Sequence, residues 1–219
     1  MHEVRVGRPQ LLGTTRQGPV TSAIRKHPLP AGTIELQLDE LNLAGDDQAD
    51  RTVHGGIDKA LLVVPRGHID IYARYGIDAG VGIGENLRID GADEEQVRIG
   101  DVLRWSGALV QVSQPRSPCY KLALLAGDKR VAATMIDLAR PGWYLRVLRP
   151  GRVRVAEPLE PLELVERDDA APTVAVAFKA MFPDRHGDVD DALATRVVEH
   201  PALASQWRDI LQQRRFGRW

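Results

Sequence analysis

Apolar residues recur along this chain in two rhythms. From Thr33 to Leu38, Ile34, Leu36 and Leu38 alternate with Glu35 and Gln37, which predicts a half-buried strand. The run Leu61-Leu62-Val63-Val64 reads as a strand buried on both faces. Val97–Trp105 and Ala108–Val112, separated by Ser106-Gly107, form an expected hairpin. Trp143–Leu148, Arg152–Val155 and Leu159–Val165 are short strands punctuated by Pro and Gly. Helical spacing appears twice among these strands. Pro65 suits a first helical position, and Ile69, Tyr72 and Ala73 share one face before Gly76. Asp128 can cap a second helix to Ala139, with Val131, Met135, Ile136 and Leu138 facing inward. Residues Arg8–Pro30 are rich in Gly, Pro, Thr and Ser and read as extended loop.

After Asp168-Asp169-Ala170-Ala171-Pro172 the strand signals end. Helices are expected over Thr173–Met181, over Val189–Glu199 with Asp188 as cap, and over Ala202–Arg215. The expected fold is mainly β, with a β domain at 1–167 and a small three-helix domain at 168–219. The helices can pack on their own barrel or pair two chains, so a homodimer is one expected arrangement.

Composition narrows the class. A chain of 219 residues, 43% hydrophobic and 27% charged, can bury a substantial core as a soluble protein. No stretch approaches the roughly 18 apolar residues of a membrane helix, and the start Met1-His2-Glu3-Val4-Arg5-Val6 has no signal-peptide core. One cysteine excludes an internal disulfide framework and suits a reducing, cytoplasmic setting. Net charge is -1, but unevenly spread. Six acidic residues and no basic one lie between Glu35 and Asp50; nine basic and two acidic residues lie between Arg116 and Arg154. That basic segment lacks interleaved aromatic platforms, which argues against a nucleic-acid polymer as partner.

The lone cysteine falls in Ser113-Gln114-Pro115-Arg116-Ser117-Pro118-Cys119-Tyr120-Lys121. Two prolines stiffen this loop, and Arg116 and Lys121 favour a thiolate, which is both a nucleophile and a soft metal ligand. The plain alternative is a small buried hydrophobe. Two glycine-rich stretches complete the candidate chemistry. Val53-His54-Gly55-Gly56-Ile57-Asp58-Lys59-Ala60 places a histidine beside paired glycines, with Arg51 and Lys59 alongside. Gly80-Val81-Gly82-Ile83-Gly84-Glu85-Asn86-Leu87 lacks the following helix of a dinucleotide fingerprint. Thr21-Ser22-Ala23-Ile24-Arg25-Lys26 offers hydroxyls and cations to an anion. These residues point to an anionic-ligand site with a soft nucleophile or metal ligand. A Cys–His hydrolase built on Cys119 and His54 stays open at this point, whereas a second cysteine for a zinc cluster is lacking.

Several motifs in order resemble the MOSC domain, named from the C-terminal domain of molybdenum cofactor sulfurases. They are Gly45-Asp46-Asp47-Gln48-Ala49-Asp50, Val53-His54-Gly55-Gly56-Ile57-Asp58-Lys59-Ala60, Gly84-Glu85-Asn86-Leu87, Ile99-Gly100-Asp101, Val112 through Leu122, and Arg140-Pro141-Gly142-Trp143-Tyr144-Leu145-Arg146-Val147. Gln-Pro-Arg before the cysteine and a helical tail resemble the YiiM subgroup, associated with resistance to hydroxylaminopurine. One departure is Gly82-Ile83-Gly84, where that subgroup commonly carries an aromatic; it bears on pocket shape.

The resemblance implies a β-barrel-like MOSC fold that binds molybdenum cofactor, a pterin dithiolene ending in a phosphate. It also admits pyridoxal phosphate as a second phosphate-bearing ligand. It implies that Cys119 ligates molybdenum, that Ser22, Lys26 and Arg116 contact the phosphate, and that Arg51 belongs to the cofactor site. Glu85 and Asn86 would hold the pterin or shape the pocket, and Asp50 and Lys121 would position these groups. His54 would be the proton donor. The implied activity is detoxifying reduction of N-hydroxylated base analogues to amines. Electrons would come from a separate flavoprotein reductase, since the chain has no flavin or nicotinamide fingerprint. The competing class is a non-catalytic carrier of the cofactor or its sulfur.

Overall fold

The computed structural model describes residues 1, 3–50, 54–187 and 189–216. Arg51 and the expected cap Asp188 lie outside these. Among the described residues the strands are β1 (Glu3–Val6), β2 (Gln10–Thr15), β3 (Gly18–Ser22), β4 (His27–Pro28), β5 (Glu35–Leu38) and β6 (Leu61–Pro65). They continue with β7 (Leu87–Ile89), β8 (Val102–Trp105), β9 (Ala108–Pro115), β10 (Trp143–Arg149), β11 (Gly151–Arg154) and β12 (Glu163–Glu166). The helices are α1 (Arg66–Ala73), α2 (Tyr120–Ala126), α3 (Arg130–Leu138), α4 (Val174–Met181), α5 (Pro183–His186), α6 (Asp191–Glu199) and α7 (Ser205–Phe216).

A mixed sheet in the order β12-β8-β9-β10-β6-β7-β1-β4 curls into a half-barrel, with helices from the C-terminal segment against it. Among the described strands only β6 and β7 run parallel, which the intervening α1 crossover permits. The β8–β9 hairpin turns at Ser106-Gly107 as expected, with Trp105 opposite Ala108. Its first strand begins at Val102, not Val97, because residues 97–99 bond to the C-terminal segment instead. Val174 N–H donates to Val97 C=O at 2.8 Å and Ile99 N–H to Pro172 C=O at 3.0 Å. The helices close over their own sheet: Phe178, Trp207 and Leu211 share one apolar core with Val110, Val112 and Leu145.

Four expectations are corrected. Residues 8–30 are not an open loop, because β2 and β3 form a hairpin that buries Leu12 and Val20. Its glycine and proline content conceals β-branched Thr14, Thr15, Val20 and Thr21. The chain after Cys119 turns at once into α2; a proline restricts mainly the residue before it, and Tyr120–Ala126 consists largely of strong helix formers. Pro65 precedes α1 as its N-cap, and Ala73 faces solvent while His68 joins Ile69 and Tyr72 inside. In α3, Val131 and Met135 are buried but Leu138 is exposed, and the N-cap position falls to Lys129; Asp128, one residue earlier, accepts from Arg130 N–H at 2.8 Å.

Candidate functional site

Alternation along β10 sets the floor of the site. Trp143, Leu145 and Val147 are buried in the core, so Tyr144 and Arg146 emerge on the other face. Arg146 pairs with Asp58 at 2.8 Å, holding the turn Ile57–Lys59 over the strand. Tyr144 enters a cleft that also receives His54, Gly84, Asn86, Arg116, Cys119 and Lys121. The three loops singled out in the sequence therefore meet at one place. Cys119, half-buried, adopts extended backbone (φ −135°, ψ 160°) immediately before α2, so its side chain borders the cleft as the chain bends into the helix.

The wall opposite is a buried polar network. Lys26 Nζ donates to both oxygens of Asp46 at 2.5 Å. Asp46 Oδ1 also accepts from Gly7 N–H at 2.8 Å, and Oδ2 from Asn86 Nδ2 at 2.9 Å. Asn86 Oδ1 accepts from Leu62 N–H at 3.0 Å. Asn86 thus welds the loop to β6, and its amide is committed to the protein. Lys26 lines the cleft, but its charge faces a carboxylate; burial pushes its pKa down while Asp46 opposes that.

Glu85 is fully buried and does not line the cleft. Its Oε2 accepts from Ile83 N–H at 2.7 Å and its Oε1 from Arg88 Nε at 2.6 Å. Of its two expected roles, the geometry is that of shaping the pocket. Gly82, at φ +73°, leaves the space this carboxylate fills, since a Cβ there would lie 2.0 Å from Oε1. Asp50 is exposed outside the cleft, and its C=O accepts from His54 N–H at 2.9 Å. Ser22 lines the cleft with its Oγ accepting from Ile24 N–H at 3.2 Å.

Two cations differ from Lys26. Arg116, 3% exposed, sends Nη2 to Ile83 C=O at 3.1 Å and Nη1 to Met135 Sδ at 3.1 Å. Lys121, 7% exposed, lines the same cleft. Neither pairs with a carboxylate among the described residues. Their field is felt by His54, whose pKa falls to about 4, through burial first and then Lys121, Lys59 and Arg116. The imidazole is accordingly neutral near pH 7, and an anion beside these cations would raise its pKa.

A family model, the MOSC domain, matches residues 50–160. The chain is 38% identical to protein YiiM of Escherichia coli over 84% of its own length and 81% of that protein. It is 35% identical to the Bacillus subtilis protein YflK over 94% of this chain and 89% of that one. The crystal structure of YiiM from Geobacillus stearothermophilus superposes with a TM-score of 0.74 at 31% identity, covering 97% of both chains. A Gibberella moniliformis protein named reductase is 31% identical over 67% of this chain, which spans 26% of that protein.

The chain belongs to the MOSC family.

The cleft gathers His54, Asn86, Arg116, Cys119 and Lys121 from within the matched MOSC segment, and Ser22 and Lys26 from the chain before it. It does not gather Glu85 or Asp50 as lining residues. Three participants were not singled out. Asp46 lies inside a quoted motif, but only the fold shows it neutralising Lys26. Tyr144 is visible in the Trp143-Tyr144 alternation, yet nothing local says which face a ligand would use; burial pushes its phenol pKa upward, Arg116 opposes this and Cys119 adds to it. Lys59, beside His54 in its loop, borders the cleft while donating to Gln206 of α7 at 2.5 Å.

Proposed function

We propose that this MOSC protein binds molybdenum cofactor in the cleft and reduces N-hydroxylated compounds to the corresponding amines. The observation that carries the reading is the pairing of two buried cations, Arg116 and Lys121, which have no carboxylate partner among the described residues, with the chain's one thiol in a single cleft. Buried cations without a counter-charge are costly and call for an anionic ligand. The neighbouring Cys119 sulfur is a soft donor of the kind molybdenum accepts. The donor set fits a phosphate-bearing cofactor with a soft metal.

Cys119 would hold the metal, and Arg116 and Lys121 the phosphate, with Lys26 contributing little free charge. When bound, the cofactor supplies the two-electron chemistry. Reduction of R–NHOH to R–NH2 breaks the N–O bond, takes two electrons and two protons, and releases water. Those electrons come from a separate flavoprotein reductase. His54 relays one proton to the departing hydroxyl, which leaves as water, while the second proton goes to the amine nitrogen. The enclosing walls, Tyr144 and Ile83, limit water around the reacting group.

The test measures molybdenum and pterin in protein purified from a host that makes the cofactor, wild type beside Cys119→Ser. Turnover of hydroxylaminopurine with an artificial reductant is followed in parallel. Near-stoichiometric molybdenum and turnover in wild type, both lost in a folded variant, are expected. Stoichiometric cofactor without turnover would instead establish a carrier, and full activity in the variant would remove Cys119 from the site.

A further inference from the structure

Arg116 enters the cleft with no carboxylate partner among the described residues, so something else must fix it. Two backbone carbonyls do. Ile83 C=O accepts from Arg116 Nη2 at 3.1 Å, and Gly142 C=O accepts from Arg116 N–H at 3.1 Å. Each of these two residues is gripped in turn by a buried carboxyl group through its own N–H. Ile83 N–H donates to Glu85 Oε2 at 2.7 Å, and Gly142 N–H to Glu94 Oε1 at 2.7 Å. Glu85 and Glu94 are 0% and 1% exposed, come from different sides of the sheet's β7 strand in sequence, and neither lines the cleft.

We infer that Glu85 and Glu94 are positioning residues that fix Arg116 for anion binding through Ile83 and Gly142, without touching the ligand themselves. The inference rests on the reading of the cleft as an anion site. Glu85 is locked by Arg88 at 2.6 Å. Glu94 lies 3.5 Å from His68 Nδ1 and 3.9 Å from Arg140 Nη1, whose other contact is Asp93 at 2.9 Å. The Gly142 turn has no slack: its φ is +75°, and a Cβ there would stand 2.4 Å from Val63 C=O. A displaced Gly142 would carry Arg116 with it. It would also shift Trp143 and Tyr144, which follow directly in β10.

The experiment uses the full chain and reads Arg116 in two ways. Side-chain NMR of the Arg116 guanidinium reports its order without any ligand. Calorimetric titration with inorganic phosphate at pH 7.5 reports anion affinity. Glu94→Met and Glu94→Asp, the latter keeping charge but shortening reach, should broaden the Arg116 signals and weaken phosphate binding about tenfold, the worth of one oriented hydrogen bond. Glu94→Gln, which keeps an acceptor for Gly142 N–H, should restore both. In an Arg116→Met background Glu94→Met should cause no further loss, whereas in a Lys121→Met background it should. Unchanged Arg116 signals in the folded Met and Asp variants, or an undiminished loss in the Arg116→Met background, would overturn the inference. If wild type binds no phosphate while the Glu94 variants change the Arg116 signals as stated, the positioning role stands and the anion site is refuted.

Discussion

The Lys26–Asp46 pair makes an asymmetric prediction, because its two members are unequally supported. Asp46→Ala leaves the Lys26 ammonium buried without a counter-charge and orphans Gly7 N–H, while Asn86 Nδ2 keeps only its 3.3 Å contact to Arg5 C=O. Breaking a buried pair from this side costs about 3–5 kcal/mol. Lys26→Met leaves the Asp46 carboxylate with two donors, at 2.8 and 2.9 Å, and should cost about 1–3 kcal/mol. The double variant Lys26→Met/Asp46→Leu should not return to wild type, since Gly7 N–H stays unpaired in an apolar setting. Urea unfolding followed by tryptophan fluorescence gives the three midpoints; Trp105, Trp143 and Trp207 are all buried reporters. Equal losses for the two single variants, or a double variant as stable as wild type, would refute the network as described. The same asymmetry extends to binding. Lys26 spends its charge on Asp46, so Lys26→Met should weaken phosphate affinity only a few-fold, less than Lys121→Met does.

His54, Glu94 and Gly142 supply three further tests, two from electrostatics and one from backbone geometry. His54, with a folded pKa of about 4 against an ordinary 6.5, contributes stability that is complete above pH 6.5 and lost as pH falls through 4. Sulfate, a dianion throughout that range, should raise the His54 midpoint in a proton NMR titration; an unmoved midpoint would place the anion elsewhere. Glu94 behaves in the opposite sense: burial raises its pKa from 4.5 to about 7, so its contribution is present below pH 4.5 and lost as pH rises through 7. Glu94→Gln should therefore be more stable than wild type at pH 8, by up to about 3 kcal/mol, and indistinguishable at pH 4; thermal unfolding at the two pH values decides this. Gly142→Ala should unfold at lower urea by about 2 kcal/mol or more, since positive φ and the Val63 carbonyl both oppose a side chain. A midpoint equal to wild type would show that the turn can yield.

Local chemistry carried much of this protein. Alternation at Ile34–Leu38 and the apolar run Leu61–Val64 became β5 and β6, and the ordered motifs around His54, Asn86 and Cys119 named the family and the cleft. Those signals are legible because a side chain's period and a glycine's conformational freedom are properties of neighbours along the chain. Charge partnership is not such a property. Lys26 and Lys121 look alike in sequence, yet Asp46, 20 residues away, neutralises one and leaves the other to the cleft. Asn86 and Glu85 stand adjacent, and folding turns one into the cleft wall and the other into its hidden brace. Glu94 carried no local signal at all, because its partner Gly142 lies 48 residues on. The sequence by itself determined the strongly periodic elements such as β5 and β6, the family and the reactive loops. The tertiary structure decided which charges remain uncompensated, since a buried ion's worth depends on what the fold brings within hydrogen-bonding distance.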